Sequence, residues 1–100
     1  MKAASKFELG SDVVEAIPEA KNALRTGKLR PYSGEELLNS QAGKRGARFF
    51  EFRVGCAPKD PLATDGSRRL VLLVQSGRIA EMYFSDNHYR PGSWWRIIDF

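Results

Sequence analysis

Cysteine and histidine are each used once in 100 residues, as Cys56 and His88. A single cysteine excludes an intrachain disulfide, which suits a reducing compartment. No stretch approaches the roughly 18 apolar residues of a membrane span. The segment Met1-Lys2-Ala3-Ala4-Ser5-Lys6-Phe7 has no apolar core of signal-peptide length. The expectation is a cytoplasmic chain, or one domain of a longer secreted protein, without membrane contact. No residues have the spacing of a zinc site, and no P-loop or dinucleotide fingerprint occurs. Any chemistry is therefore expected to run without metal or cofactor. Repeats and low-complexity stretches are absent as well.

What is present is positive charge and aromatic residues. Lys and Arg number 16 against 12 Asp and Glu, a net charge of +4. Lys44, Arg45, Arg48 and Arg53 lie close together and are opposed only by Glu51. Arg68, Arg69, Arg78, Arg90 and Arg96 follow. Such a distribution is either a basic face for a polyanion or ordinary solvated charge. The length fits one domain, residues 1–100, with a modest core.

Residues 1–10 read as extended or frayed. Ser11 and Asp12 can cap a short helix through about Ala16, with Val13 and Val14 inward. Pro18 suits the first turn of a second helix ending near Thr26, with Ala20, Ala23 and Leu24 on its apolar face and Gly27 as its stop. Arg30-Pro31-Tyr32-Ser33-Gly34 reads as a turn or irregular link. Residues 35–39 read as a short strand or a helical turn, and Gln41 to Gly46 as a basic loop. Four strands follow: Phe49 to Val54, Arg69 to Gln75, Ile79 to Phe84 and Trp94 to Ile98. The middle two are joined by a tight hairpin at Ser76-Gly77-Arg78. Helices first and strands after predict an α+β fold, a helix or helices packed on a four- to five-stranded antiparallel sheet.

Three residues on neighbouring strands carry the chemistry. Glu51 lies inside the aromatic strand Phe49-Phe50-Glu51-Phe52-Arg53-Val54. The period of two puts Phe49 and Arg53 on its face, and a neighbouring arginine keeps a carboxylate ionised. Arg69 opens the next strand, where a planar fork of donors suits two phosphate oxygens. Arg68 points the other way, so only one of the pair is central. His88 follows the third strand in Ser85-Asp86-Asn87-His88-Tyr89, with an ordinary pKa suited to proton donation near neutrality. A base, an acid and a cation are the parts needed to cleave RNA by attack of its own 2′-hydroxyl. Each residue alone also reads as surface charge, and Tyr89 as a packing tyrosine. Trp94 and Trp95 alternate in their strand, so one is expected in the core and the other exposed, where it could stack on a base. Cys56 has no histidine near it in sequence and is not read as a nucleophile.

Taken in order, Pro31-Tyr32-Ser33, Asn39-Ser40-Gln41, Phe50-Glu51-Phe52-Arg53-Val54, Gly66-Ser67-Arg68-Arg69-Leu70-Val71 and Ser85-Asp86-Asn87-His88-Tyr89 resemble the barnase-like microbial ribonucleases, which prefer guanosine. The resemblance runs from about Ile17 to Ile98. It implies a helix-on-antiparallel-sheet fold, Glu51 as general base, Arg69 as phosphate ligand and His88 as general acid with Tyr89 beside it. Arg53 and Arg68 become supporting phosphate contacts, and Asn39 and Gln41 the base-reading loop. It further implies a metal-independent endoribonuclease acting on single-stranded RNA through a 2′,3′-cyclic phosphate, a monomeric bacterial toxin held by an acidic inhibitor protein. Two positions depart from the family pattern. Asp65 stands where many bacterial members carry a second arginine, and Gln41 where the family reads guanine with a glutamate. Two rival expectations stand beside this one: an RNA-binding module without cleavage, and a protein-interaction domain whose basic residues are surface charge.

Overall fold

The computed structural model describes residues 2–32, 48–55, 68–86, 90 and 92–100. It is an α+β fold with one main helix on a six-stranded mixed sheet. In chain order the elements are β1 (Lys2–Ala4), α1 (Lys6–Leu9), α2 (Ser11–Arg25), β2 (Arg30–Tyr32), β3 (Arg48–Arg53), β4 (Arg69–Gln75), β5 (Arg78–Ser85) and β6 (Trp94–Ile97). The sheet order is β1-β6-β5-β4-β3-β2. All pairings are antiparallel except β1 with β6. No described helix is long and apolar enough to cross a membrane. The expected element over residues 35–39, the loop from Gln41 to Gly46, Cys56 and Asp65 lie outside the described residues.

Of the N-terminal decade, expected extended or frayed, Lys2–Ala4 is an extended strand and Lys6–Leu9 a helical turn. β1 pairs with β6, Lys2 opposite Trp95 and Ala4 opposite Ile97. Beyond the ladder, the Ile98 amide donates to the Ala4 carbonyl at 3.0 Å. Asp99 then accepts from the Ser5 hydroxyl at 2.7 Å and from the Lys6 amide at 2.8 Å. These bonds hold the Asp99 carboxyl below the usual carboxylate range, the Lys6 amide contributing most. Ser5 also caps α1, accepting from the Phe7 amide at 3.3 Å.

The two expected helices are one. α2 begins after Gly10, whose φ of 117° favours glycine, and runs through Pro18 to Arg25. Pro18 has no N–H to give the Val14 carbonyl, a loss of about 3 kcal/mol or more. Against it stands the continuous apolar stripe Val13, Ala16, Ile17 and Ala20, each at most 4 % exposed. Burying Val13 and Ile17 alone is worth roughly 1.5–3 kcal/mol apiece, and the proline itself faces solvent. Burial therefore outweighs the lost bond and the helix continues. It ends as the sequence predicts, at Gly27 (φ 71°). The Lys28 amide reaches the Ala23 carbonyl at 2.8 Å and the Gly27 amide reaches Leu24 at 3.2 Å, a Schellman closure.

β4 matches its expected bounds, and Ser76-Gly77 turns into β5 with φ values of 55° and 75°, the positive pair that a two-residue hairpin requires. β2 was expected as a turn or irregular link. Its Pro31 cannot donate to a ladder, which restricts such a strand to a sheet edge, and the edge is where β2 lies.

The core has two layers. α2 covers one sheet face, packing Val13, Ala16, Ile17 and Ala20 on Val54, Leu70, Leu72, Val74, Met82, Phe84 and Ile97. The opposite face carries a second cluster of Val71, Leu73, Tyr83 and Trp94, with Tyr32 and Phe49 against it. β4 is therefore buried on both faces from Arg69 to Val74. The ring centroids of Tyr32 and Trp94 are 6.5 Å apart, although β2 and β6 are four strands apart, about 19 Å in a flat sheet. The sheet is thus curled, its concave face turned away from α2. A register shift between Leu73 and Val74 supplies local twist of the kind a bulge gives.

Candidate functional site

Three rows of paired residues cross the concave face. Arg30, Glu51, Val71, Tyr83 and Arg96 form one. Tyr32, Phe49, Leu73 and Glu81 form the second. Arg53, Arg69, Ser85 and Trp94 form the third. Glu51 and Arg53 share a face, as strand periodicity predicts, and the β3–β4 register brings Arg69 onto it. Arg53 is directly opposite Arg69, and Glu51 is the diagonal neighbour of Arg69 on the adjacent strand, within reach for long side chains.

Glu51 is largely covered, its side chain 20 % exposed, and Arg30 from the edge strand lies 4.0 Å away. Arg69 is 8 % exposed. Its guanidinium gives a hydrogen bond at 2.9 Å to the carbonyl of Arg68. Arg53 and Arg96 are exposed and face solvent. In these rows four arginines stand against Glu51 and Glu81, so the face is net positive.

Arg68 is not on this face. It turns toward α2, gives a two-point ion pair to Asp12, its Nη2 reaching Oδ1 at 3.1 Å, and lies 5.4 Å from the Phe84 ring centroid. The Arg68 guanidinium holds the Asp12 carboxyl below its ordinary range, against a smaller opposing effect of burial. As expected for one of two consecutive arginines, Arg68 points away from Arg69, and its fork is engaged with the helix.

His88, Tyr89, Asn39 and Gln41 lie outside the described residues. The described residues on either side of the histidine segment are hydrogen-bonded to one another. The Asp86 amide donates to Ser93 at 3.2 Å and the Ser93 amide to Arg90 at 3.1 Å. Ser85 and Ser93 share a buried hydroxyl contact at 2.9 Å, and the Ser93 hydroxyl also reaches the Arg90 carbonyl at 2.6 Å. Ser85, three residues before His88, pairs with Arg69.

Four further polar groups at this face escaped the sequence reading: Glu81, Tyr83, Ser85 and Ser93. Tyr83 is 1 % exposed and its hydroxyl donates to the Glu81 carboxylate. The signal was the alternation Glu81, Tyr83, Ser85 against Met82 and Phe84, which sorts polar tips to one face. The tryptophans, expected to alternate, do so: Trp94 is in the concave cluster and Trp95 packs toward α2. Among the described residues no group of histidine, cysteine and carboxylate side chains is arranged to hold a metal ion. Comparison with protein-family models, with curated proteins and with solved structures finds no match to this chain.

Proposed function

We propose that the concave face cleaves single-stranded RNA by transphosphorylation, without a metal. The observation that carries this reading is the placement of Glu51, Arg53 and Arg69 on adjacent strands of one net-positive face, with the chain leaving β5 beside Arg69 three residues before the only histidine. Glu51 takes the proton of the 2′-hydroxyl as its oxygen attacks phosphorus. Arg69 and Arg53 meet the negative charge that gathers on the phosphorane. His88 protonates the departing 5′-oxygen, leaving a 2′,3′-cyclic phosphate and a 5′-hydroxyl.

The function fits a monomeric bacterial toxin. An enzyme of this kind requires restraint in the cell that makes it, and an acidic inhibitor protein would complement the arginines of the concave face and associate rapidly. The resemblance to guanyl-preferring ribonucleases directs attention to Asn39 and Gln41 for base choice. A neutral glutamine accepts a hydrogen bond from guanine but forms no charge-assisted pair.

The test is incubation of the purified protein with mixed-sequence RNA in excess EDTA, beside Glu51→Ala and His88→Ala. Cleavage by the wild type is expected, with each variant slowed by a factor on the order of 10²–10⁴. Intact RNA bound in a salt-sensitive manner by a folded wild type would replace catalysis with an RNA-binding role. Neither binding nor cleavage would point to a protein-interaction domain.

A further inference from the structure

Arg68 and Arg69 are consecutive, yet the first spends its side chain on the helix and the second on the concave face. They meet at one atom. The carbonyl oxygen of Arg68 accepts the Val54 amide at 3.2 Å and the Arg69 guanidinium at 2.9 Å. The Val54 contact extends the β3–β4 pairing one step past Arg53 and Arg69. The direction of that carbonyl depends on the backbone of residue 68, just outside β4. The backbone of residue 68 is in turn held from the other side by the two-point bond to Asp12 and by the Phe84 ring.

We infer that Asp12 and Arg68 are positioning residues for Arg69: by anchoring residue 68 to α2, they fix the carbonyl that orients the Arg69 guanidinium over the concave face. Neither touches substrate. The inference rests on the reading of Arg69 as the phosphate ligand, and it deepens that reading by extending the site through the sheet to the first turn of the helix. Asp12 suits the task. It sits at the N-terminal end of α2, where a carboxylate is favoured, and its Oδ1 also accepts the Val13 amide at 3.0 Å, so the anchor itself is held.

A second carboxylate separates positioning from stability. Asp99 ties β1 and α1 to the C-terminus and has no contact with residues 68 or 69 among its described bonds. Asp12→Asn, Arg68→Met, Arg68→Lys and Asp99→Asn are compared with the wild-type chain by two readouts. The first is kcat and KM on a fluorescent single-stranded RNA in EDTA. Asp12→Asn and Arg68→Met are expected to lower kcat about tenfold, in keeping with the rate cost of a small displacement of a catalytic group, with KM changed by less than about threefold. Arg68→Lys recovers part of the loss. Asp99→Asn lowers the melting temperature and leaves kcat as in the wild type.

The second readout is the Arg69 Nε–H resonance in a nitrogen–proton correlation spectrum, titrated with inorganic phosphate. It is expected sharp and phosphate-responsive in the wild type and in Asp99→Asn, and broadened with a weaker response in Asp12→Asn. Equal loss of kcat in Asp99→Asn, or an unchanged Arg69 resonance in Asp12→Asn, would overturn the inference. A wild type that leaves RNA intact overturns the catalytic reading, and the Arg69 resonance then decides the positioning role by itself.

Discussion

The two faces of the sheet treat their arginines differently. Toward α2, Arg68 is matched to a carboxylate on the helix and laid near an aromatic ring, and the remainder of that interface is apolar. Away from α2, Arg53 and Arg96 are exposed to solvent, and Arg69 lies almost buried between strands with its guanidinium bonded to the Arg68 carbonyl. One face pairs its arginine with a helix carboxylate, and the other gathers several arginines around two glutamates. Strand periodicity makes this separation possible: in β4 the side chains of Leu70, Leu72 and Val74 join the helix core, while Arg69, Val71 and Leu73 line the concave side. The helix core and the proposed site thereby draw on alternate residues of the same strand.

That division predicts how substitutions partition. The largest effect is expected on the concave side, where Glu51→Gln removes the proposed base and is predicted to lower RNA cleavage by about 10³, roughly 4 kcal/mol of barrier, while thermal unfolding moves little. On the helix side the pattern inverts. Leu72 is fully buried, and Leu72→Ala should cost about 2–5 kcal/mol of stability, measured by denaturant unfolding, with cleavage per folded molecule retained. A Glu51→Gln variant that unfolds as readily as Leu72→Ala would erase the distinction.

Acid separates the faces more gently. Asp12 and Asp99 both ionise more readily in the folded chain than unfolded. Their contribution is therefore complete above the ordinary carboxylate pKa and is lost as pH falls through the lower folded values. The melting temperature should be level from pH 7 to about 5 and decline below about pH 4. Asp12→Asn and Asp99→Asn should each flatten that decline. A decline of wild-type steepness in the double variant would place the acid-sensitive groups elsewhere. The smallest effect belongs to Arg96, exposed at the end of its row. Arg96→Ala should weaken RNA binding uniformly across sequences and reduce the slope of log K against log salt by about one.

Most of the sheet could be read from local pattern. β4 and the Ser76-Gly77 hairpin follow from an apolar run bounded by turn residues, and β3, β5 and β6 from short alternations. The face shared by Glu51 and Arg53 follows from the same period, while Arg69 joins it through the β3–β4 register. What escaped depended on distant partners. β1 is three residues long and exists because β6, more than ninety residues away, gives it a ladder. The Arg68–Asp12 bond spans 56 positions. β2 contains a proline that only an edge tolerates, and edges are a property of topology. The continuity of α2 through Pro18 was settled by a face buried against strands that follow it in sequence. The meeting of Tyr32 and Trp94 required the curl of the whole sheet.

The most direct test of the central claim is the chemistry of the ends left on a single-stranded RNA incubated with the wild-type chain in excess EDTA. The account predicts 2′,3′-cyclic phosphate and 5′-hydroxyl termini, absent with Glu51→Gln. Termini bearing a 5′-phosphate, or cyclic ends that persist undiminished with Glu51→Gln, would contradict it.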